Sequence, residues 1–150
     1  MKFRVLHVNI RGWMSHVAEL VARLRRMKEK PDLICVNETF LDRTLEYLTL
    51  EGYTLVARRD RNDGRQGGGI AALAASDIAE RVTLIQSSDD AARFWFMVHA
   101  DQGPHLVGVW IRPPAPGETG TVTTFKAEHY VLGNTSLVNI ILGDLNVHNR

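Results

Sequence analysis

Four polar residues stand where apolar runs give out: Asn9, Glu38, Asp144 and Asn146. The last two follow Val138-Asn139-Ile140-Ile141-Leu142-Gly143, which has the apolar density of a fully buried strand. Gly143 permits a tight turn, and residues two apart in extended geometry point the same way. The Asp144 carboxylate and Asn146 carboxamide therefore suit a site that holds a metal-bound phosphate and its attacking water. Both are also ordinary turn formers, and for this pair alone the turn is the plainer reading. Glu38 follows the apolar run Leu33-Ile34-Cys35-Val36 and a short polar hinge. It is a candidate ligand for a hard cation, because Mg²⁺ takes one or two protein carboxylates and keeps several waters. Asn9 ends the first apolar run, and ligands gather where several strands end together.

Other constellations point away from competing chemistries. Gly67-Gly68-Gly69 has the composition of a phosphate loop without the Gly-x-x-x-x-Gly-Lys-Ser/Thr spacing. It reads as backbone that approaches another segment closely. Six histidines show no ligand spacing, and with one cysteine a zinc site is disfavoured. Only His148 lies beside the candidate site. No Gly-x-Ser-x-Gly elbow supports a serine nucleophile. Cys35 sits inside Leu33-Ile34-Cys35-Val36 and reads as a buried, inert thiol.

These residues need a scaffold, and 150 residues with 45% hydrophobic and 23% charged content suffice for one domain, 1–150, with a real core. The net charge of +1 announces no global nucleic-acid field. Basic residues nonetheless cluster at Arg23, Arg25, Arg26 and Lys28, and again at Arg58, Arg59 and Arg61. Solvated surface and contact with a phosphate backbone are both open readings of these clusters. A lone cysteine, no run of 18 apolar residues and a start that opens into a strand pattern lead us to expect an intracellular protein, nuclear or cytoplasmic, with no membrane partner.

Phe3 to Ile10 reads as a first strand. Val17, Leu20, Val21, Leu24 and Met27 then recur at helical spacing until Pro31 stops the pattern. Leu33 to Val36 is a second strand, so strand, helix and strand within forty residues imply a crossover pairing. Thr44 to Leu50 reads as a short helix, Tyr53 to Arg58 as a strand, and Ile70 to Leu73 as a strand entered through glycines. Further strands are expected over 81–86, 93–100 and 105–112, with turn signals that indicate an antiparallel portion. Phe125 to Leu132 reads as a short helix before the final strand. The sum is a mixed α/β (α+β) domain.

Five pieces of sequence in order then carry a resemblance. They are Asn9-Ile10-Arg11-Gly12, Glu38-Thr39-Phe40, Gln66-Gly67-Gly68-Gly69-Ile70-Ala71, Arg112-Pro113-Pro114 and Gly143-Asp144-Leu145-Asn146-Val147-His148. Together they resemble the endonuclease/exonuclease/phosphatase superfamily, the fold of DNase I and the AP endonucleases. Within it they are most similar to the endonuclease domain of non-LTR (LINE-type) retrotransposon polyproteins. The resemblance implies a DNase I-like four-layer sandwich, with two mixed sheets flanked by helices, incomplete at its C-terminus. It covers nearly all of these 150 residues but only about the N-terminal two-thirds of a family domain, whose later strands and Ser-Asp-His type motif are not in this sequence.

The resemblance also implies roles. Glu38 would be the main Mg²⁺ ligand with Asn9 beside it, Mn²⁺ being an alternative ion, and no organic cofactor is expected. Asp144 would orient or deprotonate water, and Asn146 would hold the phosphate. Arg11, Arg58, Arg59, Arg61, Arg112 and His148 would contact nucleic acid. The implied partners are duplex DNA and the rest of a longer polyprotein. Where the family usually has tyrosine before Arg-Pro-Pro, this chain has Ile111, with Trp110 one residue earlier. Two alternatives differ in class: a non-catalytic nucleic-acid-binding remnant using the arginine clusters, and a phosphatase or phospholipase on the same fold.

Overall fold

The computed structural model describes residues 3–60, 68–87, 92–111 and 138–144. Contacts divide the chain into two units, Met1–Val82 and Thr83–Arg150, each built on its own four-stranded sheet.

In the first unit, β1 (Val5–Asn9) leads into α1 (Trp13–Arg26) and back into β2 (Leu33–Asn37), which pairs with β1 in parallel. That is the crossover the sequence predicts. Then come β3 (Tyr53–Arg59) and β4 (Ile70–Ala75), and the strand order is β1-β2-β4-β3. β4 is antiparallel to both neighbours, with an irregularity in β3 between Leu55 and Ala57. All five residues of β2 are buried, as an unbroken apolar run at the sheet centre requires.

Trp13, Leu20 and Leu24 of α1 pack with Ile34 and Val36 of β2 and Ala71 and Leu73 of β4. Their spacing of seven and four residues puts them on one helix face. At the other end of α1, Arg23, Arg25 and Arg26 occupy the last turn, where cations oppose the helix dipole. Lys30 Nζ also donates to the carbonyls of Leu24 and Met27, at 2.7 and 3.3 Å.

The helix expected over 44–50 does not form. Asp42 Oδ1 accepts from both the amide and the hydroxyl of Thr44 in a local turn that no helix continues. Leu41, Leu48 and Leu50 are instead buried one by one along an irregular segment, which ends as Leu50 bridges Tyr53 around Gly52 (φ 84°). The helix expected over 125–132 lies outside the described residues.

A 3₁₀ turn (Ala79–Arg81) closes the first unit, and the second is built on β5 (Val82–Ser87), β6 (Ala92–Ala100), β7 (Gly103–Ile111) and β8 (Val138–Asp144), in the order β5-β6-β7-β8. β6 and β7 form the expected antiparallel hairpin, and β8 adds to β7 in parallel. Phe94, Trp95, Phe96, Val98, Leu106, Val107 and Val109 are buried. Trp95 registers with Gly108, where a Cβ would stand 2.8 Å from the indole Cε3, so glycine makes room for the ring. Among the described residues no helix is long and apolar enough to cross a membrane.

Candidate active site

Strand registry assembles one end of the first sheet into a single row. Asn9 pairs with Asn37, Asn37 with Ile70, and Ile70 with Arg59, so all four strands reach the row. Asn9 is exposed at one side of it and Asn37 is buried, only 2% exposed. Glu38 follows Asn37 immediately. Two of the residues singled out from sequence, Asn9 and Glu38, are thereby brought to adjacent strand ends.

The backbone beyond this row is held in an unusual shape. Arg11, Glu38 and Phe40 all have left-handed backbones, with φ of 50°, 54° and 55°. A residue with a Cβ pays about 1–2 kcal/mol for that region. The surrounding hydrogen bonds over-determine it. Gly12 N–H donates to Glu38 O and Trp13 N–H to Thr39 O, both at 2.8 Å. On the other side, Phe40 N–H donates to Gly68 O at 2.9 Å and Thr39 N–H to Gly69 O at 3.3 Å. Three segments are thus zipped together past the ends of their strands. In a regular strand, Asn37 and Glu38 would face opposite sides. The left-handed turn at Glu38 breaks that alternation.

Gly68 (φ 76°) and Gly69 (φ 92°) supply the close approach expected of the glycine run, although Gly67 lies outside the described residues. A Cβ on Gly69 would collide with the hydroxyl of Thr39, which is itself 1% exposed.

The residues on either side of Glu38 were missed in sequence reading. Asn37 Oδ1 and Thr39 Oγ1 are buried oxygens without a hydrogen-bond partner. An unsatisfied buried polar group costs about 1–3 kcal/mol, so such atoms mark a place where water or a ligand completes the shell. The signal in the sequence was Asn37 itself, a polar residue continuing a buried apolar run. Among the described residues no three His, Cys, Asp or Glu side chains cluster. The donors at these strand ends are oxygens, one half-buried carboxylate and the exposed Asn9 carboxamide. That set fits a hydrated Mg²⁺ or Mn²⁺, which needs few protein carboxylates, and does not fit zinc.

The arginines separate into distinct environments. Arg58 is committed locally: Nε and Nη2 form a two-pronged ion pair with Asp60, at 2.9 Å each, and Nη2 also donates to Asp42 O at 2.8 Å. It fastens the end of β3 to the segment that follows Phe40. Arg59 is half-buried in the row described above, and Arg11 is exposed beside Glu38's turn. Arg23, Arg25 and Arg26 lie at the far end of α1 from this row, and Arg25 pairs with Glu51 at 2.8 Å. A recess of about 390 Å³ at that far end is lined by Arg25, Lys30, Asp32, Tyr53 and Asp77 among others, so it is separate from Asn9 and Glu38.

Asp144 closes β8 in the second unit, in register with Ile111 of β7, while Trp110 registers with Gly143. The position beside Asp144 is therefore Ile111, and Trp110 does not take its place. Asn146, His148, Arg61 and Arg112 lie outside the described residues.

A family model described as the Endonuclease/Exonuclease/phosphatase family matches residues 6–150. The chain belongs to that family. Solved structures agree on the fold at low sequence identity. The endonuclease domain of TRAS1, a telomere-specific non-LTR retrotransposon, superposes with a TM-score of 0.64 at 15% identity, over 99% of this chain and 61% of that one. The human Nocturnin catalytic domain with bound sulfate gives 0.63 at 14%, over 97% and 64%. D. rerio TDP2 complexed with single-strand DNA product gives 0.65 at 12%, over 98% and 62%. This family member thus spans under two-thirds of those neighbours, and its fold is DNase I-like, as the resemblance implied. No curated protein matches the chain by sequence.

Proposed function

We propose that this chain forms the Asn9 and Glu38 side of a divalent-metal-dependent phosphodiesterase acting on DNA, as a nicking endonuclease domain of a retrotransposon polyprotein. The observation that carries this reading is the strained, hydrogen-bonded turn that sets Glu38 beside Asn9, with two buried oxygens left to be satisfied, in a chain of this family. Glu38 and Asn9 would hold the cation. When bound, it would neutralise charge developing on the phosphoryl oxygens. Asp144 would orient or deprotonate the attacking water, and Asn146 would hold the phosphate. Arg11 and Arg59 would meet a nucleic-acid backbone. A retrotransposon endonuclease and a DNA-product complex among the structural neighbours support DNA as the substrate.

Nicking of supercoiled plasmid tests the proposal. A form that carries this chain together with the later strands of the family domain is expected to cut in Mg²⁺ or Mn²⁺ and not in EDTA, with Glu38→Gln lowering the rate at least about 100-fold, the scale on which oriented electrostatic groups act. Plasmid binding without metal-dependent cutting would leave a nucleic-acid-binding chain and remove the catalytic reading.

A further inference from the structure

Phe40 has no role in the site as described, yet its placement is costly. It is 49% exposed, an unusual position for a phenylalanine, and its backbone is left-handed. Its amide is clamped to Gly68 O at 2.9 Å, and its ring edge lies over Gly12, where a Cβ would stand 3.3 Å from Cδ2. The segment beyond it is pinned by the Asp42–Thr44 turn and by Arg58. An aromatic ring is therefore held out of the core by a rigid support on both sides in sequence. It lies two residues from Glu38 and beside the exposed, left-handed Arg11.

The geometry points to Phe40 as a stacking platform for an unpaired nucleobase next to the phosphate held at Asn9 and Glu38. This rests on the DNA phosphodiesterase reading and deepens it. Every base offers a π-face, so stacking on a fixed ring gives affinity without sequence preference. A ring already fixed by its backbone loses little freedom when a base covers it. A cation at Arg11 and an aromatic at Phe40 are the two elements of single-strand binding, charge for the backbone and a face for the base. A base inside an intact duplex has no free face, so the platform favours single-stranded or locally opened DNA.

The test measures binding of the wild-type chain, Phe40→Ala and Phe40→Trp to a single-stranded oligodeoxynucleotide carrying 2-aminopurine, and to the same sequence as a duplex, in EDTA so that nothing is cut. Phe40→Ala is expected to weaken single-strand binding about tenfold and to abolish the stacking-induced quench. Phe40→Trp is expected to restore both, and the salt dependence is expected to stay unchanged because no charge is lost. Thermal melting of each variant accompanies the binding data. Equal affinity of Phe40→Ala and wild type, with wild type bound, overturns the platform and spares the phosphodiesterase reading. Weakening only in proportion to a lowered melting temperature also overturns it, by making Phe40 a structural wedge. A wild-type chain that binds neither oligonucleotide overturns both.

Discussion

Cys35 lies on β2 two residues before Asn37, with none of its surface exposed. Burial pushes its thiol from 9.0 up to about 12. In that window the unfolded chain gives up the thiol proton and the folded chain keeps it. Stability that is full below pH 9.0 therefore falls by about 1.4 kcal/mol per pH unit as pH rises toward 12. Tyr53 declines in the same direction, since burial first, then Asp32 and Asp77, raise its phenol. Comparing urea melts of wild type and Cys35→Ala between about pH 8 and 10.5 isolates the cysteine: the variant is expected to lose the one-proton slope. Identical slopes would mean that the thiol is not held in its neutral form. The same burial makes Cys35 a structural group, as its apolar neighbours in sequence indicated.

Residue chemistry was legible where it follows a strong local pattern. Asn9 and Glu38 stood out because each follows an apolar run, and strand ends in a sheet are where polar groups meet. Thr39 did not, because its burial depends on Gly69 pairing from another part of the chain. Phe40 stands in the sequence only as part of Glu38-Thr39-Phe40, and its exposure depends on the turn that holds it out.

At the scale of elements, α1 and the β1-α1-β2 crossover were readable from periodicity and from Pro31 alone. The helix expected over 44–50 was not: Leu45 and Leu48 have helical spacing, but the segment runs on to a bridge between Leu50 and Tyr53 that only β3's placement provides. The row across Asn9, Asn37, Ile70 and Arg59 depends on registry, which no single strand encodes. Beside that row, Gly69 tolerates no side chain. Gly52 and Gly69 both have positive φ, at 84° and 92°, but a Cβ on Gly52 meets nothing within 4 Å. Gly52→Ala is expected to cost about 1 kcal/mol from backbone strain alone. Gly69→Ala adds a collision with buried Thr39, and urea melts are expected to show a loss of about 2–4 kcal/mol. Equal losses would contradict the close packing of Thr39 against the glycine turn.

For the whole molecule, the arrangement of one unit around Asn9 and Glu38 makes sense if both serve one cation. On the proposed reading, oxygen donors from two adjacent strand ends would hold an ion that keeps several of its waters. Residues that act on one bound ion are coupled, so their deletions do not add. The measurement that bears on this most directly is a calorimetric titration of Mn²⁺ into wild type, Asn9→Ala, Glu38→Gln and the double variant, with melting curves to establish that each is folded. Glu38→Gln is expected to weaken binding about 10- to 100-fold, Asn9→Ala less, and the double variant no more than Glu38→Gln alone. Wild type and Glu38→Gln binding Mn²⁺ equally well would contradict a metal centre at this strand end.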